Sequence, residues 1–293
     1  MNALLERGAG SVTGPATAPS HAIAIEAARL AVGSLHAELI LYPKPGLVSL
    51  VDNGSHSDMN AATFLRSLFA LRHYFAAICR AGADGAPFAE LRRLGITAER
   101  RMLAATGGVN THRGAIFSIG LLCAAYGLAR ARGTPVNAAS LRALLLLEWG
   151  APLAAHAQPA AQDSHGQAVA RRHAAGGARE EAALGLPSVF EVGLPALRAT
   201  LLAGRGMRAA RIDALFALMA HVGDTNVLHR GGADGAALVR RTARDFVDAG
   251  GTASAGWMAS ALAAHQAFVA RRLSPGGAAD LLAATCFVHG ISW

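Results

Sequence analysis

Apolar residues recur at helical spacing along most of this chain, and three polar, glycine-flanked stretches interrupt them. Ile23, Ala27, Leu30, Ser34 and Leu41 share one stripe, which predicts a helix from His21 to Leu41. That helix must stop at Tyr42-Pro43, because proline removes a backbone donor and clashes with the preceding turn. Phe64, Leu68, Leu71, Phe75 and Ile78 then follow at steps of four and three, an amphipathic helix. Further helices are expected over Leu91–Ala105, Ala115–Arg130, Ser140–Trp149, Met207–Val222, Ala259–Arg272 and Ala278 to about Val288. Ser274-Pro275 reads as an N-cap followed by proline in the first turn. From Pro152 to Gly185 the pattern turns loop-like, a candidate lid. No fixed-period repeat and no compositional shift marks a domain boundary. The prediction is an all-α, bundle-like single domain over 21–293, preceded by a disordered lead-in over 1–20, with its breaks gathered around one cavity.

Composition supports the helical class. The chain has 293 residues, 53% hydrophobic but only 5% aromatic, so its core is built mainly from Ala, Leu and Val. The formal charge of +8 points to anionic partners. Its arginines are scattered, with no dense run and no interleaved aromatics, which favours a phosphorylated small molecule over nucleic acid. Three widely spaced cysteines, Cys79, Cys123 and Cys286, imply buried thiols in a reducing cytoplasm. The first twenty residues lack an apolar signal core. Ala115 to Ala129 is too short to span a bilayer and reads as a buried core helix, so no membrane association is expected.

The chemistry lies in the breaks. The first, Pro43–Asn60, holds Lys44 (the one lysine of the chain), Gly46, Asp52, Asn53, His56 and Asp58. The second, Gly107–Gly114, carries Asn110, Thr111, His112 and Arg113 and opens onto an apolar helix. A glycine-rich turn at a helix N-terminus suits a phosphate, and equally suits an ordinary cap by Asn110 or Thr111. The third, Gly223–Gly232, carries Asp224, Asn226, His229 and Arg230. Each polar residue alone reads as a cap or a satisfied core group; the set is too large for that explanation. No Walker-type loop, zinc pattern or serine nucleophile elbow is present, whereas carboxylates with Asn and hydroxyls suit Mg²⁺ bridging phosphates.

Five stretches together carry a resemblance. Lys44-Pro45-Gly46-Leu47-Val48, Asn53 to Met59, Gly108 to Ser118, Asp224 to Gly232 and Ser274 to Leu282 resemble, in order, the signatures of triphosphoribosyl-dephospho-CoA synthases. The resemblance runs from about Glu26 to Phe287. It implies a cytoplasmic all-α enzyme that joins ATP and 3′-dephospho-CoA and releases adenine. The product would pass to a transferase that modifies an acyl carrier protein. The Val48–Asp52 wording resembles the malonate decarboxylase branch, with citrate lyase the alternative. Two places depart from the family's pattern. Ala178-Arg179-Glu180-Glu181-Ala182 stands where an Arg-Gly-Glu-Ala run is frequent, and His112-Arg113 where His-Lys is frequent.

The implied reaction displaces adenine at the anomeric carbon of ATP through an oxocarbenium-like state. Asp58 is the leading base, with Asp224 the alternative. Both are also candidate Mg²⁺ ligands. His56 or His229 would protonate the departing adenine. Lys44, His112, Arg113 and Arg230 would bind phosphates, with Gly46, Asn53, Asn110, Thr111 and Asn226 completing the substrate contacts. Three readings compete: a Mg²⁺-dependent ADP-ribosyl or N-glycosidic hydrolase, a nucleic-acid-binding helical protein, and a helical scaffold.

Overall fold

The computed structural model describes residues 17–157 and 177–292. The lead-in through residue 16 and the central part of the candidate lid, 158–176, lie outside the described residues. Among the described residues there are helices and no strand. The helices are α1 (Thr17–Leu39), α2 (Ala61–Ala83), α3 (Phe88–Thr106), α4 (Arg113–Ala131), α5 (Ala138–Ala157) and a short α6 at 177–183. They continue with α7 (Leu194–Leu202), α8 (Gly206–His221), α9 (Thr225–Asp248), α10 (Trp257–Ala270) and α11 (Gly276–Ile291), with a π-helical turn at Ser188–Gly193 and a 3₁₀ turn at Gly251–Ala253.

The apolar faces are buried, on α1 along a line turned slightly from the expected one, since Ile23 and Leu30 are only half-buried. Ala24, Ala27, Ala31 and Leu35 of α1 and Leu68, Leu71, Phe75 and Ile78 of α2 are all at most 3% exposed. The most deeply embedded helix is α4. Glycine explains how it gets there. A Cβ on Gly82 would strike the backbone of Ala124, one on Gly127 the backbone of Cys79, and one on Gly120 the Tyr74 hydroxyl. Without side chains at these points, α2 and α4 approach until backbone meets backbone. Tyr74 Oη then donates to the Ile116 carbonyl at 2.9 Å. By length and composition α4 and α5 would each pass as a membrane span, but 78% of the apolar window of α4 is buried in this core.

Several expected boundaries shift, each for a local reason. Helix α1 begins at Thr17, four residues before His21. The stripe Leu141, Leu144, Leu145, Trp149 and Leu153 carries α5 through Pro152 to Ala157, anchored where Trp149 Nε1 donates to the Ala86 carbonyl at 2.9 Å. The third polar stretch is mostly helix, not a break: α9 starts at Thr225 and continues to Asp248 across a kink at Gly232 (φ 62°, ψ −162°). Val239, Ala243 and Phe246 bury the face that holds its second half. The Ser274-Pro275 cap is also corrected. Pro275 occupies the N-cap position of α11 with no side-chain bond, and Ser274 turns to His56 instead.

Candidate active site

Chain breaks converge as expected, around a cavity of about 860 Å³ lined by parts of all three polar stretches. That volume lies toward the upper end of the ~300–1,000 Å³ typical of small-molecule sites. The first stretch is held in place by glycine. Gly46 (φ +70°) has no room for a Cβ against the Leu273 carbonyl, and the Ser55 hydroxyl donates to that same carbonyl at 2.6 Å. This seats Pro43–Asn60 on the turn before α11. Asn60 closes the loop with a capping box, its Oδ1 accepting from the Thr63 N–H at 3.0 Å.

The buried part of the lining is acidic. Glu38, 4% exposed, ends the α1 stripe and accepts from Lys44 Nζ at 2.5 Å. Burial draws the Lys44 ammonium down, while Glu38 beside it acts in the opposite sense. Asp224 bridges two helix N-termini: its Oδ1 accepts from Asn226 N (2.9 Å) and Val227 N (3.3 Å) of α9, its Oδ2 from Gly277 N (2.7 Å) and Ala278 N (3.2 Å) of α11. Burial raises its pKa, and those four N–H groups oppose the rise. Asp280, on α11, sits against the first turn of α4. Burial, with Glu38 and Asp224 nearby, pushes its carboxyl well above the usual range, against the N–H groups of Ala115 and Gly114.

Exposed lining is mostly basic: Arg92, Arg113, Arg179 and Arg230, with Asp58 and His229 among them. Arg113 Nε is paired with Glu99 at 2.6 Å. Arg230 crosses to the first stretch, donating to the Ser55 carbonyl at 3.1 Å and approaching His56 Nδ1 at 3.2 Å. His56 Nε2 lies 2.8 Å from Ser274 Oγ, and its Nδ1 is also 3.4 Å from Asp58 Oδ1. Burial and the Arg230 charge lower the His56 pKa, with Asp58 opposing. The ring is therefore neutral, with Nδ1 accepting from Arg230 and Nε2–H donating to Ser274.

Of the expected site residues, His56, Asp58, Asn110, Thr111, His112, Arg113, Asp224, Asn226, His229 and Arg230 line this cavity. Lys44, Gly46 and Asn53 do not. Lys44 is 1% exposed and spends its charge on Glu38, Gly46 is a packing position, and Asn53 faces solvent as part of the loop's turn. Glu38 and Asp280 were missed, yet both carry a signal in the sequence. Each is a lone carboxylate on an apolar stripe, Glu38 at the spacing Ala31, Leu35, Glu38 and Asp280 between Ala279 and Leu281. Ser67 and Arg92 carry no such signal, whereas Arg179 lies in the run that stands where Arg-Gly-Glu-Ala is frequent.

Among the described residues, no group of three or more His, Cys, Asp or Glu side chains is arranged to hold a metal ion. Asp224 fits the expected Mg²⁺ poorly, because both its oxygens already accept from backbone N–H groups. Asp58 is open.

Comparison with known proteins shows the family. Residues 24–293 match the family model described as CitG, ATP:dephospho-CoA triphosphoribosyl transferase. A protein of Azotobacter vinelandii named probable 2-(5″-triphosphoribosyl)-3′-dephosphocoenzyme-A synthase is 44% identical, over 93% of this chain and 94% of its own. Proteins of the same name from Stutzerimonas stutzeri (44% identical, 90% and 91% covered) and Acinetobacter calcoaceticus (38%, 88% and 88%) are similar over nearly as much. No solved structure matches.

Proposed function

We infer the activity of this chain from its family: it belongs to the ATP:dephospho-CoA triphosphoribosyl transferases, and it is a triphosphoribosyl-dephospho-CoA synthase. The reaction breaks the bond from the anomeric carbon of ATP to adenine and forms one to a ribose hydroxyl of 3′-dephospho-CoA. The hydroxyl proton leaves, and adenine departs with a proton, so the balance closes without a redox partner. The observation that carries the proposed arrangement is the split of charge across one cavity: carboxylates within, arginines outside.

An oxocarbenium-like centre is stabilised by nearby negative charge, and a triphosphate by positive charge. Arg230, Arg113, Arg92 and Arg179 hold the triphosphate at the exposed side. The ribose then reaches inward, toward the Glu38 carboxylate, with Asp280 as a hydrogen-bonding carboxyl beside it. Asp58 takes the proton of the incoming hydroxyl. His56, held between Arg230 and Ser274, lies beside that carboxylate, and His229 is the donor for adenine. Mg²⁺ would be carried mainly by the triphosphate oxygens and neutralise their charge, with Asp58 the one expected carboxylate near enough to the open side to meet it. The product serves an acyl carrier protein, that of malonate decarboxylase by the Val48–Asp52 wording, in the cytoplasm.

The test is mass spectrometry of products after mixing the protein with ATP, Mg²⁺ and dephospho-CoA, separately and together. A synthase releases adenine only when both substrates are present. Adenine or ribose products from ATP and water alone would establish a hydrolase instead.

A further inference from the structure

The cavity lining contains one buried side-chain polar atom without a hydrogen-bond partner among the described residues: Nε2 of His112. This histidine stands at the N-cap of α4 and is 2% exposed. Its other nitrogen is fully accounted for. The Thr111 hydroxyl donates to Ser67 Oγ at 2.7 Å, and Ser67 Oγ lies 2.7 Å from His112 Nδ1. Ser67 accepts from Thr111 and keeps its own hydrogen for Nδ1, the arrangement in which the Thr111–Ser67–His112 chain runs in one direction and Nε2 carries a proton toward the cavity. That assignment puts the ring proton on Nε2, the nitrogen without a partner. Burial and the charge of Lys44 pull the imidazole pKa down to about 3, so the ring is neutral at any working pH. Its orientation is fixed by Phe64, edge-on at 5.0 Å, and by the His112 N–H donating to Met102 Sδ at 3.3 Å.

A neutral donor contributes no charge to a phosphate clamp. The position argues against phosphate as well. The first N–H groups of α4, which begins at the next residue, already face the Asp280 carboxyl. A phosphate at His112 would sit beside that carboxyl, with Glu38 and Asp224 in the same wall. Apolar lining residues Met59, Phe64 and Phe117 suit a base or sugar face better.

We propose that His112 is a neutral hydrogen-bond donor to the nucleoside part of ATP, a ribose oxygen or an adenine ring nitrogen, with Ser67 and Thr111 as the residues that position it. This rests on the synthase reading above and removes His112 from the triphosphate clamp expected from the sequence.

The experiment uses the full chain with adenosine and tripolyphosphate as separate calorimetric probes, and ¹⁵N spectra of the His112 ring. The wild type should show the Nε2–H tautomer, with no titration between pH 5 and 8. His112→Leu should weaken adenosine about 10-fold, the loss of one buried hydrogen bond, and leave tripolyphosphate within about 2-fold. His112→Gln, which keeps a neutral N–H and guards against misfolding of the leucine variant, should hold adenosine within about 3-fold. Ser67→Ala should populate the Nδ1–H tautomer and weaken adenosine alone. An Nδ1–H ring in the wild type, a titration in that range, or a tripolyphosphate loss without an adenosine loss overturns the proposal. Adenine release from ATP plus dephospho-CoA by the wild type is measured in parallel. If release is intact while His112→Leu keeps full adenosine affinity, His112 alone is misassigned. If release is absent, the synthase reading fails.

Discussion

The buried and the exposed walls of the cavity hold their charged groups in opposite ways. Within, each charge is tied to the scaffold: Glu38 to Lys44, Asp224 to four backbone N–H groups, Asp280 to the start of α4. Outside, the arginines lie on exposed helix faces and at most share a charge with one neighbour, as Arg113 does with Glu99. The inner wall thus has fixed geometry at a cost in desolvation, while the outer wall has charge available to a mobile anion. A reaction that needs a shielded cationic carbon and a gripped triphosphate uses both.

This contrast is testable by substitutions that separate turnover from stability. The largest effect is expected at Asp58, on the outer wall. Asp58→Asn should cut adenine release by about 10²–10⁴-fold, the usual contribution of a general base, with ATP binding and thermal unfolding unchanged. Retained turnover would remove Asp58 from that role. On the inner wall, Asp224→Ala strips the cap from α9 and α11 together and should cost about 2–4 kcal/mol in denaturant unfolding. A loss below about 0.5 kcal/mol would show that the bridge is not structural.

His112 gives a pH signature. Its folded pKa is depressed to about 3 from the ordinary imidazole value of 6.5, so its contribution is complete above pH 6.5 and is lost as pH falls toward 3. His112→Gln should remove that loss, narrowing the acid limb of the stability curve by about 2 kcal/mol at pH 5. An unchanged limb would contradict a buried neutral ring. Arg230→Ala should raise the KM for ATP about 10-fold at low salt, and less as salt screens the clamp, with only a small fall in the unfolding midpoint from its exposed bonds to Ser55 and His56. A salt-independent change would argue against a phosphate contact.

The smallest effect is expected at Asp280, where the sign reverses. Its raised folded pKa means that the ionised form costs stability at neutral pH and that the cost disappears as pH falls and the carboxyl takes its proton. Asp280→Asn keeps an acceptor for α4 and should stabilise the fold by about 1 kcal/mol at pH 7.5, a gain that vanishes near pH 4. Stabilisation that persists in acid would point to packing instead of charge.

The sequence alone determined the helical class and most of the faces that turn to the core, because periodicity and Gly/Pro punctuation are local properties of the chain, whereas the meeting of the polar stretches at one cavity is a matter of tertiary packing. It also carried the family resemblance, through the order and length of five motifs. Two lone carboxylates on apolar stripes were legible too, though unread. Tertiary structure decided which polar residues work inward. Lys44 has the sequence of a phosphate ligand, and only the return of its loop against α1 gives it to Glu38. Asp224 has the sequence of a base or metal ligand, and only the meeting of α9 with α11 fills both its oxygens. Whether a buried polar atom is spent or free depends on partners more than forty residues away, as with Ser67 and His112, and no local pattern encodes that distance.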